Sequence, residues 1–220
     1  MTGPGSPRLL VLVVAGVLLT LVPGLLFAGE REPRGPDAAI EDAVLGALAE
    51  QRSLLRLLVL PTEAPVLLPV LLIVVCACLR HRDRAGAALA VLAPAIAVAA
   101  NTWLLKPAFG RVYDDHLAYP SGHTVSLVAV LTVLAVLARP GTATAVVVTL
   151  GTVLLLAVGL GMVGSRFHYA SDVLGAAGFG VAVTLTVAWA LHRADPRSRG
   201  GTAAVSDPGT PPDRRRGPVR

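Results

Sequence analysis

Six long apolar segments constrain this chain more than any other feature of its sequence. Each is about 20 residues of mainly Leu, Val and Ala, which is the length of helix that crosses a hydrocarbon core ~30 Å thick. Because backbone polar groups in lipid must bond within their own segment, we expect helices. The sequence therefore predicts an all-α polytopic membrane protein with six transmembrane helices, approximately Leu9–Ala28, Leu57–Leu79, Ala85–Leu105, Gly122–Ala138, Thr142–Val163 and Tyr169–Leu191.

The composition supports a membrane protein. Hydrophobic residues make up 54% of the chain and charged residues 15%, whereas a soluble domain is about 25% charged. The net charge of +5 does not indicate a nucleic-acid partner, because many of the arginines flank apolar segments, where they report topology. The first segment is longer than the apolar core of a signal peptide, so we expect it to be a retained span.

The arginines predict the orientation of the spans. With six spans, two short loops and the C-terminal tail lie on one side of the membrane, and these hold Arg80, Arg82, Arg84, Arg139, Arg193, Arg197 and Arg199. The positive-inside rule makes that side cytoplasmic. We therefore expect a plasma-membrane protein with both termini in the cytoplasm. The loops Lys106–Ser121 and Gly164–His168 then meet at the extracytoplasmic face.

Two polar regions lie outside the spans. Residues 38–58 carry apolar side chains at helical spacing between charged ones, a pattern typical of an amphipathic helix at the membrane interface. Residues 193–220 are basic and rich in Pro and Gly, and we expect a disordered cytoplasmic tail. The membrane domain is therefore expected to span residues 1–192.

The sequence Pro-Ser-Gly-His-Thr opens the fourth predicted span. Free amides and the positive dipole end at a helix N-terminus favour an anion. Gly122 allows close backbone approach, and Ser121 can cap the helix or donate its hydroxyl. His123 would then lie beside the anion and could give a proton to a leaving oxygen. The alternative is a plain helix cap at Ser121, with no chemical role for His123.

His168 and Asp172 form a second candidate pair. They are four residues apart at the start of the sixth span and so share a helix face. A carboxylate that accepts from one imidazole nitrogen fixes the tautomer and leaves the other nitrogen free to attack. The alternative is an interfacial histidine beside an ordinary aspartate in the first turn of a helix.

Three cations are predicted at the same membrane face, namely Lys106, Arg111 and Arg166. Fixed cations offset the charge of a phosphoryl group in transfer, and guanidinium groups match phosphate oxygens. The alternative is that they only anchor the interface. Lys106 stands out because every other basic residue except the histidines is arginine. The segment Asp114–His116 is the densest metal-ligand candidate, but adjacent residues on a loop rarely close a coordination shell, so we predict no metal site.

The order of three motifs resembles that of the type 2 phosphatidic acid phosphatase family. They are Lys106, then Tyr119-Pro-Ser-Gly-His-Thr124, then His168-Tyr-Ala-Ser-Asp172. This family is the membrane branch of a superfamily shared with vanadium haloperoxidases and soluble acid phosphatases. The resemblance covers about residues 57–191. It implies that His168 is a nucleophile that forms a phosphohistidine, that Asp172 orients it and that His123 is the general acid. It also implies that no metal or other cofactor is needed and that the phosphate is held by Lys106, Ser121, Gly122 and an arginine.

The arginines differ from the family pattern. The family usually has arginine and proline seven and eight residues after the lysine, where this chain has Tyr113 and Asp114. It also usually has an arginine six residues before the nucleophilic histidine, where this chain has Met162. We expect the nearest arginines, Arg111 and Arg166, to bind the phosphate instead.

The function predicted by these residues and the resemblance is metal-independent hydrolysis of a phosphomonoester or diphosphate on a membrane lipid. Phosphatidate, phosphatidylglycerophosphate and polyprenyl diphosphate all fit, and the expected partners are this substrate and the bilayer. One alternative is a phosphotransferase with an acceptor other than water. Another is a catalytically weak lipid-phosphate binder or transporter with the same fold. The altered arginines favour that last alternative, whereas His123, His168 and Asp172 oppose it.

Overall fold

The computed structural model describes residues 7–194 of the 220, and nearly all of this part is helical. The predicted tail from residue 195 onward, with Arg197 and Arg199, lies outside the described residues. In chain order the elements are α1 (Pro7–Leu26), α2 (Pro36–Leu48), α3 (Arg52–Val59), a 3-10 turn (Leu60–Thr62), α4 (Ala64–Arg80), α5 (Arg84–Ala100), a π-helical turn (Asn101–Leu105), α6 (Lys106–Phe109), β1 (Val112–Tyr113), β2 (His116–Leu117), α7 (Gly122–Leu137), α8 (Thr142–Gly164) and α9 (Ala170–Ala194).

The helical membrane architecture is confirmed. Five helical stretches among the described residues are long and apolar enough to cross a bilayer, namely Pro7–Leu26, Arg52–Arg80, Arg84–Phe109, Thr142–Gly164 and Ala170–Ala194. Helix α7 is also apolar but is shorter, at 16 residues. Side chains on the outer face of α1 are apolar and exposed, as expected of a surface that faces lipid; Leu25, for example, is 71% exposed. The count of six spans stays a prediction.

Helix α9 lies at the centre of the bundle, with α1, α5 and α7 packed against it. Small residues allow the closest of these crossings. A Cβ added at Gly178 would lie 2.5 Å from the carbonyl oxygen of Gly16, so the backbones of α9 and α1 touch. Such contacts are the usual means of helix association in membranes, where lipid competes equally for apolar side chains. The N-terminal part of α9, which carries Asp172, therefore packs closely against α1.

The amphipathic helix predicted over residues 38–58 is wrong in one respect: it is two helices, α2 and α3, separated by residues 49–51. The cause lies on α8. Both Val44 of α2 and Leu55 of α3 contact Gly164, where an added Cβ would lie 3.4 Å and 2.5 Å from their side chains. In one straight helix these residues would be about 16 Å apart along the axis. The break lets both reach the same glycine.

The segment expected to be a plain loop, Lys106–Ser121, has structure of its own. It begins with the single turn α6, which ends at Gly110 with φ of 60°. A two-residue antiparallel hairpin follows, with Val112 opposite Leu117 and Tyr113 opposite His116. The all-α prediction therefore holds except for this hairpin, which positions His116 at the face where α7 and α9 begin.

Candidate active site

The start of α7 is anchored from two sides. Ser121 is fully buried, and its Oγ accepts from Thr124 N at 3.4 Å and from Thr124 Oγ1 at 3.1 Å, so it caps the helix. Asn101 Nδ2 donates to the carbonyl of Pro120 at 3.3 Å. Of the two roles expected for the Ser121 side chain, capping is the one observed. The next two residues, Gly122 and His123, face a cavity.

The cavity has a volume of about 650 Å³ and lies between the start of α7, α6, β2 and the segment before α9. It brings together four of the eight residues that the sequence singled out, Lys106, Gly122, His123 and His168. The remaining lining residues are Thr62, Glu63, Ala64, Val98, His116, Ser126 and Phe167. The two loops expected to meet at one face therefore do meet.

Lys106 and His116 enter this cavity from the same side. Lys106 Nζ donates to the carbonyl of Leu117, which fixes the ammonium group against β2. His116 Nε2 donates to the carbonyl of Phe167 at 3.1 Å, and its ring lies edge-on to that of His168 with the centroids 5.8 Å apart. The sequence analysis considered His116 only as part of a metal-ligand candidate. Its place in the cavity depends on the hairpin, which no sequence pattern indicated.

His168 is buried and lies beside Asp172 as expected. His168 Nδ1 is 3.5 Å from Asp172 Oδ2, a close contact that is not aligned as a hydrogen bond. Catalytic hydrogen bonds are often long before substrate binds. Burial lowers the pKa of His168 below its usual 6.5; Asp172 opposes this shift, and Lys106 and His116 add to it. A lowered pKa favours the neutral imidazole, the form in which one ring nitrogen keeps a free lone pair.

Asp172 is held from behind by a buried arginine. Arg111 Nη1 donates to Asp172 Oδ1 at 2.7 Å, and Arg111 Nη2 donates to Asp37 Oδ2 at 2.7 Å. The guanidinium carbon lies 4.6 Å from the ring centre of Phe27 and 4.3 Å from that of Tyr169. The Arg111 side chain is 1% exposed and does not line the cavity. Its placement favours orientation of Asp172 over contact with a phosphate.

Asp37 is a component of the site that the sequence analysis missed. It lies in the first turn of α2, and its carboxylate accepts from Ser171 N at 2.9 Å and from Ser171 Oγ at 2.5 Å in addition to Arg111. Its partners are 74 and 134 residues away in sequence. An aspartate after a proline at a helix start is common, so no local pattern could have singled it out.

Arg166 lies in a neighbouring cavity. This second cavity has a volume of about 730 Å³ and is lined by the cations Arg52, Arg56 and Arg166 together with apolar side chains of α2 and α3. The two cavities share Glu63 and Phe167 in their linings. Arg166 is exposed and has a left-handed backbone, with φ of 57°. It is therefore adjacent to the candidate catalytic cavity without lining it.

Across residues 7–194, no group of three or more His, Cys, Asp or Glu side chains is arranged to hold a metal ion. The candidate considered in the sequence, Asp114–His116, is spread over the exposed hairpin turn, and the side chain of Asp115 is fully solvated. That the reaction needs no metal stays a prediction.

Comparison with known proteins identifies the family. The sequence model of the PAP2 superfamily matches residues 70–196, more than half of the chain. The fold is similar to the crystal structure of a transmembrane PAP2 type phosphatidylglycerolphosphate phosphatase from Bacillus subtilis, with a TM-score of 0.68, 19% identity and coverage of 84% of this chain and 98% of that one. No curated protein matched the sequence. The chain therefore belongs to the PAP2 superfamily, and it is a membrane phosphatase of the type 2 phosphatidic acid phosphatase family.

Proposed function

We propose that the protein hydrolyses a phosphomonoester or diphosphate on a membrane lipid, without a metal, through a phosphohistidine at His168. The observation that carries this proposal is the single cavity that holds His123, His168 and Lys106, with the buried Asp172 behind His168. A nucleophile, a proton donor and a cation that face one space are the parts that phosphoryl transfer requires.

The reaction takes two steps. In the first, His168 Nε2 attacks the phosphorus, the bond to the lipid oxygen breaks, and His123 gives that oxygen its proton. The products are N-phosphohistidine and a lipid alcohol, or a lipid monophosphate when the substrate is a diphosphate. In the second step water attacks the phosphorus, His123 takes the water proton, and inorganic phosphate leaves with His168 neutral again.

The phosphate is held by a helix end and one cation. Gly122 and His123 line the cavity at the start of α7, where the helix dipole and free amides would stabilise an anion. Lys106, which lines the same cavity, supplies the positive charge. Both groups are fixed before substrate arrives, so they stabilise developing charge without reorganisation.

The neighbouring cavity bears on the choice of substrate. Its apolar residues suit a lipid chain and its three arginines suit a second anionic group. Phosphatidylglycerophosphate, the substrate type named for the structurally similar Bacillus subtilis protein, carries a phosphodiester in addition to its phosphomonoester. We therefore place it first among the lipids to test, before phosphatidate and polyprenyl diphosphate.

A second candidate, a catalytically weak binder or transporter of lipid phosphates, is favoured by one observation. The Tyr113 hydroxyl, at a position where the family usually has arginine, donates to Glu41 at 2.8 Å and the side chain is buried. Burial and this hydrogen bond raise the pKa of Tyr113, so the position carries a neutral phenol. One usual phosphate ligand is thus absent. A phosphotransferase, with an acceptor other than water in the second step, uses the same cavity.

Phosphate release from purified protein in detergent tests these candidates. The panel would contain phosphatidylglycerophosphate, phosphatidate and polyprenyl diphosphate, with a chelator throughout. Hydrolysis with chelator present supports the proposal. Stoichiometric binding without release would favour the binder, and loss of lipid phosphate that appears only with an added alcohol acceptor would favour the transferase.

A further inference from the structure

We infer that Asp37 is a positioning residue for the nucleophile: it holds Arg111 and Ser171 behind Asp172, and so sets the orientation and the charge of the Asp172–His168 pair. This inference rests on the proposed function, in which His168 attacks the phosphorus. It assigns a part of the active site to α2, which precedes the region matched by the family model.

The geometry gives Asp37 every contact needed for this role. Its Oδ1 accepts from Ser171 N, and its Oδ2 accepts from both Ser171 Oγ and Arg111 Nη2, all within 2.9 Å. Arg111 Nη1 in turn donates to Ser171 Oγ at 2.6 Å and to Asp172 Oδ1 at 2.7 Å. The remaining oxygen, Asp172 Oδ2, accepts from Tyr169 N at 2.9 Å and faces His168. Because each carboxylate oxygen of Asp172 accepts from its own donor, these contacts set the orientation of the carboxylate.

The charges of the cluster give Asp37 an electrostatic role as well. Arg111 carries one positive charge, and Asp37 and Asp172 carry one negative charge each, at exposed fractions of 1%, 3% and 0%. With both carboxylates ionised, the buried cluster has an excess of one negative charge directly behind His168. A charge of that sign stabilises the imidazolium that forms when Nε2 is phosphorylated. Asp37 also pairs with Arg111, so the positive charge of Arg111 is divided between two carboxylates. The negative charge of Asp172 is therefore offset less, and its attraction to His168 is stronger.

The competing explanation is that Asp37 only fastens α2 to α9. The structure provides other fastenings for α2, however. Val44 packs on α8 at Gly164, and Glu41 accepts from the Tyr113 hydroxyl at 2.8 Å. Loss of the Asp37 charge therefore leaves α2 attached. It also leaves Arg111 paired with Asp172, so no unpaired buried charge arises, which is the condition under which such a substitution would unfold the protein.

The test variant is Asp37→Asn, which keeps the side-chain size and removes the charge. The full charge of Arg111 then falls on Asp172, which becomes a weaker acceptor for His168. We expect kcat to fall on the order of 10-fold to 100-fold, as when the hydrogen-bond partner of a metal-bound imidazole is lost, with KM nearly unchanged. The acidic limb of kcat/KM should move to lower pH, because a negative charge near His168 has been removed.

The matched control is Asp42→Asn, which removes the same charge from an exposed position of the same helix. It should leave kcat and the pH profile unchanged. Both variants keep the other ionisable groups that act on His168 or line its cavity, namely Asp172, Lys106, His116, His123 and Glu63. A difference between the variants therefore reports on Asp37 alone.

A second readout does not depend on activity. The His168 imidazole of the folded protein in micelles can be titrated by NMR with labelled histidine, and its signal can be assigned with His168→Gln. Asp37→Asn should lower the pKa of His168, and Asp42→Asn should not. Asp37→Glu, which restores the charge, should move it back and recover part of kcat; if Asp37→Asn fails to fold, a normal His168 titration in Asp37→Ser would overturn the inference.

The outcomes separate the two proposals. If the wild type neither releases phosphate nor forms a phosphoenzyme, the proposed function fails. If the wild type is active but Asp37→Asn keeps the wild-type kcat and pH profile, only the role of Asp37 fails. In a third outcome, Asp37→Asn lowers the unfolding temperature, and the loss of activity equals the loss of folded protein, while the His168 titration is unchanged. Asp37 would then only stabilise the packing of α2.

Discussion

Arg111 Nη1 lies 2.7 Å from Asp172 Oδ1, so the guanidinium pairs with the carboxylate that orients His168 and does not line the candidate catalytic cavity. The sequence favoured Arg111 as a substitute for a missing phosphate ligand. A phosphate ligand and an orienting residue differ in what their removal leaves in the structure. Loss of a phosphate ligand would leave an empty space in the cavity, whereas loss of Arg111 would leave two buried carboxylates, Asp37 and Asp172, without their cation.

Arg111→Ala is therefore expected to damage both stability and activity. Removing one partner of a buried ion pair costs about 3–5 kcal/mol of folding free energy, because the other charge stays buried. The rate should fall on the order of 10²-fold to 10³-fold. Thermal unfolding in micelles and phosphate release would measure the two effects. Arg139→Ala, in the loop between α7 and α8, is the control and should change neither; a loss of rate at Arg111 with full stability would return it to the role of phosphate ligand.

Gly122→Ala separates folding from catalysis at the start of α7. A Cβ at this position would meet only Asn101 Nδ2, at an ordinary contact distance of 3.7 Å, so the protein should fold normally. The added methyl would occupy the cavity where the phosphate approaches the helix amides. We expect an unchanged unfolding temperature and a fall in kcat/KM of at least about tenfold, or 1.4 kcal/mol. Unchanged kcat/KM would mean that the phosphate binds elsewhere.

The lowered pKa of His168 predicts two pH effects. The acidic limb of kcat/KM should lie below pH 6.5, because the free enzyme must hold His168 neutral and its pKa is below that value. The free energy of unfolding should also depend on pH. The unfolded chain binds a proton near pH 6.5 while the folded chain does not, so the folded state loses stability as pH falls below that point.

His168→Gln should remove that part of the pH dependence of the unfolding temperature. A difference curve between the two proteins over pH 4–8 measures it. Identical curves would show that His168 titrates alike in the folded and unfolded chains.

The orientation in the membrane is tested by labelling. In a background with Cys76 and Cys78 replaced by alanine, a cysteine at Asp115 should react with an impermeant reagent in intact cells, since it lies on the exposed hairpin beside the cavity. A cysteine at Ser206, in the C-terminal tail, should react only after permeabilisation. The reverse pattern would place the cavity in the cytoplasm and reject the arginine-based orientation.

The parts of the structure that sequence could predict are those set by local chemistry. Apolar length predicted the helices, and the spacing of His168 and Asp172 predicted their shared face. Asp37 and His116 could not be found, because each acquires its role from residues 51 or more positions away. The division between α2 and α3 was likewise hidden, since it depends on where Gly164 of α8 meets them.

The roles proposed for His123 and His168 differ, so their losses should differ. His168→Ala removes the atom that attacks phosphorus and should abolish both turnover and the phosphoenzyme. His123→Ala removes the proton for the leaving oxygen, and a substrate with a very good leaving group needs little protonation. An activated aryl phosphate should therefore restore activity partly to His123→Ala and not to His168→Ala. Asp172→Asn should be intermediate, since the imidazole keeps its nitrogen and loses its orienting partner.

Rapid quench with labelled substrate, followed by alkaline workup that preserves phosphohistidine, measures the intermediate directly. His123→Ala should accumulate label with the aryl substrate. In the second step His123 takes the proton of the attacking water, so without it the phosphohistidine should be hydrolysed slowly. The exposed position of His123 in the cavity makes its alanine variant safe for folding. Label that survives in His168→Ala would exclude this mechanism, because another group would then be the site of phosphorylation. Turnover that requires an added divalent metal would exclude it as well, because the proposed reaction needs none.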